Sequence, residues 1–206
     1  MGKQAAVVGS GLLSFMDGMT AQQRSAVQVA TLRAEWVARS DTEGGLITDW
    51  FSHYVRQLKF LGWDATPPEE AHWPDQQRPR IIEAALSDIG AVAGEHYAVS
   101  MGLALKGLDG QRQALLHFEQ RSREQGVFRL LPCAPAPGGF VDMVVYHELC
   151  ETSQLSAGFL YRERRATQVR AQLVRFNTRQ FDAQYRSKVE KALGNAMSRE
   201  ILSFEH

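Results

Sequence analysis

The stretch VFRLLPCAPAPGGFVDMVVYHELCETSQLSAGFLYRERRATQVRAQLVRFN, Val127–Asn177, decides the fold. It reads as four consecutive β-strands, Val127–Cys133, Phe140–Glu151, Ala157–Arg164 and Thr167–Asn177. Pro135-Ala136-Pro137-Gly138-Gly139 is a turn signal between the first two. In the second run, Val141, Met143, Val145, His147 and Leu149 share one face and Asp142, Val144, Tyr146, Glu148 and Cys150 the other. The first set is the more apolar and is the expected core face. In the last run Val169, Ala171 and Leu173 alternate with Gln168, Arg170 and Gln172, the pattern of a half-exposed antiparallel sheet. A sheet with one apolar face cannot stand in water, so the flanking segments are expected to cover it.

Those segments read as helical. Thr20-x-x-Gln23 is a capping box that opens a helix to about Ser40, with Val27, Ala30, Ala34 and Val37 at helical spacing. A second helix spans about Leu46–Leu61 and carries Trp50, Phe51, Tyr54, Val55 and Leu58 as core residues; Gly62 ends it. Asp64–Arg80, with Pro67, Pro68, Pro74 and Pro79, reads as a surface loop. Ile81–Leu108 is a helical segment with Gly90, Gly94, Gly102 and Gly107. Each interior glycine costs about 1 kcal/mol against alanine, so either close backbone packing or entry into a bilayer is the reason for them. Glu95 and His96 interrupt the apolar run and argue against constant spanning. A short polar helix, Gln111–Gln125, precedes the strands. After them Asn177 caps a last helix whose stripe is Phe181, Tyr185, Val189, Leu193, Ala196, Met197 and Ile201.

The resulting expectation is an α+β fold in a single domain, 1–206. Residues 1–19 form a flexible apolar leader, 20–125 a mostly helical part, 126–177 a four-stranded antiparallel meander, and 178–206 a C-terminal helix packed on the sheet. The start Gly9-Ser10-Gly11 lacks the preceding strand and third glycine of a dinucleotide loop. Leu12, Leu13, Phe15 and Met16 are expected to tuck into a groove of the domain or of a neighbouring copy.

Composition narrows the chemistry. Lys plus Arg equals Asp plus Glu at 23 each, so no global field draws nucleic acid or a membrane. Apolar content of 44% and charged content of 22% are those of a globular chain. No apolar run reaches the roughly 20 residues of a spanning helix, and the N-terminus makes a poor signal peptide. A soluble, cytoplasmically made protein is expected, with membrane association or release as the alternative. Cys133 and Cys150 fit no zinc spacing and make no disulfide framework. His147 faces away from Glu148 and Cys150, a poor geometry for a Cys–His pair. His53, His96 and His117 suggest no joint metal site. No catalytic residue, metal or cofactor is assigned. Arg162, Arg164, Arg165 and Arg170 form the basic cluster that would contact an anionic surface, and it lacks the aromatic interleaving that nucleic-acid binding uses.

Two segments carry a resemblance. Gly11-Leu12-Leu13-Ser14-Phe15-Met16-Asp17-Gly18-Met19-Thr20, followed by Trp50, Tyr54, Leu58 and Leu61-Gly62-Trp63, resembles the opening of the Evf-type bacterial virulence factors, over residues 11–63. Phe176-Asn177-Thr178 extends it. The resemblance implies an α+β protein linked to persistence in an animal host, without known enzymatic activity, and acylated on a cysteine for membrane attachment. Cys133 and Cys150 are then the candidate attachment points. One acyl chain anchors only marginally, so the basic cluster would be a second signal.

Three functions follow. The first is a non-enzymatic, virulence- or toxin-like protein acting through a membrane lipid, a fatty acyl group or a protein partner. The second is a small-ligand binder or enzyme with a cysteine/histidine pocket between sheet and helices. The third is a structural or assembly subunit, a homo-oligomer joined through the leader.

Overall fold

The computed structural model describes residues 4–65, 80–151, 155, 157–162 and 168–205. Its centre is a mixed sheet of seven strands, with helices on both faces. The strands are β1 (Gln4–Val8), β2 (Gly11–Phe15), β3 (Trp63–Ala65), β4 (Val127–Ala136), β5 (Phe140–Leu149), β6 (Gln168–Phe176) and β7 (Ile201–Glu205), in the order β3-β6-β5-β4-β2-β1-β7. All neighbours are antiparallel except β2 and β4, which run parallel with Leu13 opposite Leu131. The fold is therefore α+β as expected, but the four-stranded meander is only part of a larger sheet.

One face is covered by α1 (Ala21–Glu43), α2 (Trp50–Phe60), α6 (Thr178–Gln184), α7 (Arg186–Leu193) and α8 (Ala196–Glu200). The other is covered by α3 (Ile81–Ala93), α4 (Glu95–Asp109) and α5 (Arg112–Gln125). The alternation along each strand assigns side chains to the two cores. Val141, Met143 and Val145 enter the first, and Val144, Tyr146 and Cys150 the second. The sheet is thus covered on both faces, where the alternation in β6 had suggested one half-exposed face; even Gln172 is buried.

Several expectations need correcting. The leader is two strands: β1 and β2 form a hairpin inside the sheet, with every residue from Ala5 to Phe15 buried. Five-residue strands buried on both faces show no alternation, so the run looked like an apolar leader. The segment 157–162, inside the expected third strand, is a turn followed by the 3-10 turn Phe159–Tyr161. Gly158 stands at φ 71° and breaks the extended chain, and the consecutive residues Phe159 and Leu160 both enter the second core. The rest of that run, Glu163 and Arg164, lies outside the described residues. The glycine-rich segment is two helices, divided at Gly94 with φ 105°. An added Cβ at Gly90 would stand 3.6 Å from Ala98 and one at Gly102 3.5 Å from Leu86, ordinary contact distances, so both glycines face the neighbouring helix but alanine would fit there too. Among the described residues no helix is long and apolar enough to cross a membrane. The expected C-terminal helix is three short ones, broken at Tyr185 and Gly194, and it ends in β7. The Asp64–Arg80 loop falls mostly on 66–79, outside the described residues.

The capping signals were correct. Thr20 and Gln23 form both halves of the capping box at α1, and Asn177 accepts from the Gln180 amide at α6.

Candidate functional site

The chain concentrates buried charge at one end of the sheet. Arg129, on β4, stands in an otherwise apolar run and is 1% exposed. Its Nη2 lies 2.5 Å from Glu35 Oε2 of α1, itself 3% exposed. Ser10, in the β1–β2 turn, accepts at Oγ from Arg129 Nη2 at 2.6 Å and gives its backbone N–H to Glu35 Oε1 at 3.0 Å. Gln125, the last residue of α5, donates to the same Oε1 at 2.7 Å. Two helices on opposite faces and a hairpin turn thus meet at one ion pair. The left-handed Gly126 then turns the chain from α5 into β4, which brings Gln125 and Arg129 together.

Aromatic rings cover the guanidinium. Arg129 Cζ lies 4.8 Å from the ring centres of both Trp50 and Tyr54 on α2, within cation–π range. Next across the sheet His147 of β5 pairs with Arg129 and stacks on Trp50 at 5.2 Å. Burial, and then the charges of Arg129 and Arg170, push its pKa down to about 3, so it stays neutral. Arg170 of β6 stands opposite His147 and reaches Asp49, the N-cap of α2, at 2.9 Å. Burial would raise the Asp49 pKa, but hydrogen bonds from Ser52 and Arg170 prevail and lower it. Burial pushes the Tyr54 hydroxyl up to about 12 against the pull of Arg129. His147 Nδ1 makes no hydrogen bond within the described protein.

Outside this layer a cleft of about 360 Å³ opens between α1, α2 and α5, lined by Arg39, Thr42, Glu43, Trp50, Arg121, Glu124 and Gln125. A smaller cavity of about 80 Å³ lies beyond Arg39, where Glu35, Trp36 and Glu200 line it. Glu200 receives His117 Nε2 at 3.1 Å and Arg121 Nη2 at 2.5 Å. Burial would raise its pKa, but the hydrogen bonds from His117 and Arg121 outweigh burial and hold it at about 2. A larger groove, about 630 Å³, is at the other end of α1 beside Thr20, Gly139 and Arg179. Several of its polar groups are already engaged: Gln23 donates to the Gly139 carbonyl, and Asp182 accepts from Gln22 and Arg186.

The expected site residues are scattered. Cys133 lies on the α1 face of the sheet, 0% exposed, and burial raises its thiol pKa well above the usual range. Cys150 lies on the opposite face, 6% exposed, with Sγ 3.7 Å from Glu148 Oε1. Neither borders a cleft described above, and His147 and Cys150 occupy different faces, as the strand alternation required. Arg162 is exposed, Arg170 is engaged by Asp49, and Arg164 and Arg165 lie outside the described residues. Among the described residues no group of three metal-ligating side chains stands together. The Arg129–Glu35 centre was missed, although an arginine within the run VFRLLPC was a visible signal for it.

No protein-family model matches the chain. No curated protein matches it either. Among solved structures, the Evf virulence factor is similar at 11% identity, over 94% of this chain and 80% of that one, with a TM-score of 0.36. A likeness of that degree transfers neither topology nor activity.

Proposed function

We propose that this chain is a binding protein whose ligand, a small polar molecule, enters the cleft between α1, α2 and α5. The observation that supports it is the buried Arg129–Glu35 pair directly behind that cleft. A buried ion pair is often no more stabilising than apolar residues of the same volume, and unpartnered buried polar atoms cost stability. Charge kept in the interior beside a concavity of ligand size is the pattern of a functional site. Catalysis is the poorer reading. His147 is too weak a base near neutrality, and the Cys133 thiol is held protonated. A thermal-shift screen with small polar molecules tests the proposal. Compounds that raise the melting temperature should lose that effect in Thr42→Phe, which fills the cleft. A screen without hits, or hits indifferent to the variant, would overturn it.

A second reading, a virulence- or toxin-like role through membrane or partner association, is favoured by a different observation. Val99 on α4 and Leu116 on α5 are more than half exposed, and Leu103 one turn along α4 from Val99 is also exposed. An acyl chain on Cys133 or Cys150 would have to attach before the sheet closes, since both thiols are interior. Co-sedimentation with anionic vesicles and intact mass of the protein from its native host test this reading. A protein that is unmodified and stays in the supernatant would exclude it.

A further inference from the structure

Within the cleft, we infer a binding place for a small zwitterion of the α-amino acid class; this rests on the cleft being a ligand site. Its charged lining consists of Arg39, Arg121, Glu43 and Glu124, two of each sign, so a net anion or cation gains no field from the lining as a whole. The two signs are not equally available. Arg121 and Glu124 hold each other at 2.6 Å, Arg121 is further bound to Glu200 at 2.5 Å, and Glu124 also accepts from Gln120 at 2.8 Å. That wall is satisfied.

Arg39 and Glu43, one turn apart on α1, are different. Their nearest approach is 3.9 Å, beyond hydrogen-bond reach, and their side chains are 33% and 72% exposed. A guanidinium fork and a carboxylate therefore stand side by side with their hydrogen-bonding capacity directed to water. An amino-acid head group carries the same two charges, also side by side, with the signs exchanged. Its carboxylate set on Arg39 and its ammonium on Glu43 would make charge-assisted hydrogen bonds at both ends. A simple carboxylate on Arg39 would face Glu43 unfavourably, and a simple amine on Glu43 would face Arg39. Trp50, also in the lining, adds apolar area for the ligand side chain.

Calorimetric titration with the common amino acids, each free, N-acetylated and C-amidated, tests this. At least one free form should bind, and blocking either end should weaken it roughly tenfold or more, the effect of losing one charge-assisted bond. Arg39→Ala and Glu43→Gln should each cause a similar loss with the melting temperature of the unliganded protein unchanged. If an N-acetyl derivative binds as well as the free form, the zwitterion assignment falls and the cleft remains a ligand site. The same holds if no amino acid binds while other small molecules do. If nothing binds, both fall.

Discussion

A guanidinium sealed between a carboxylate and two aromatic rings makes the residue scale unusually testable. Removing one member of a buried pair leaves the other charge uncompensated, so Glu35→Gln and Arg129→Met should each lower stability by about 3–5 kcal/mol. The double variant should lose much less than the sum, and urea denaturation of all three measures the coupling. His147 gives a second residue-scale prediction. Its folded pKa of about 3 lies below the usual 6.5, so the unfolded chain binds the extra proton between those values. Stability from this residue is complete above pH 6.5 and falls at up to about 1.4 kcal/mol per unit as pH drops toward 3. Glu200 acts the same way lower down, its contribution present above 4.5 and lost toward 2. His147→Gln should flatten the denaturation profile between pH 6.5 and 4.5 and keep the steeper fall below. An unchanged profile would mean that His147 accepts a proton in the folded state. At this scale Arg129 was legible in outline, as a charge within an apolar strand. Glu35 was not, because helical periodicity tolerates one polar residue on a broad apolar face. Ser10 and Gln125 join the site only through the sheet topology.

The elements owe their arrangement to short backbone devices. Gly9 turns β1 into β2 at φ 56°, and an added Cβ there would stand 2.3 Å from the Glu35 carboxylate. Gly45, at φ 69°, has open space around it. Both alanine variants incur backbone strain of about 1 kcal/mol or more, but only Gly9→Ala also pushes on the ion pair. Thermal melts should therefore rank Gly9→Ala as clearly the more damaging; equal losses would show that the Glu35 side chain yields freely. Thr20→Ala, which opens the α1 capping box, should cost about 1 kcal/mol in the same assay. Elements with such local signals were read correctly: the caps, the second helix and the two long strands. What failed had no local signal. β1 and β2 are too short and too fully buried to alternate, and β7 continues the apolar stripe of a helix, with Ile201 as its first residue.

At the scale of the molecule, the two helical layers divide the thiols between separate interiors. Cys133 and Cys150 should both resist iodoacetamide under native conditions and react together when urea unfolds the chain. A thiol that reacts early would reveal local opening of its layer. The α+β class was readable from the ordering of helical and extended segments. Coverage on both faces was not, because polar positions of β5 and β6 that suggested solvent are held in pairs, exposed or half-buried for Asp142 with Arg175 and Arg170 with Asp49, and buried for Tyr146 with Glu148.

The placement of β1 between β2 and β7 also bears on how the molecule comes into being on the ribosome. The first hairpin is made early, yet its flanking partners come late: β4 starts at Val127, and Gln4 of β1 meets Glu205 across 201 residues of chain. The apolar hairpin must wait, unpaired at both edges, while most of the polypeptide is synthesised. Closure of the sheet is then an event of high contact order, expected to be slow and to rely on protection of that hairpin in the nascent chain.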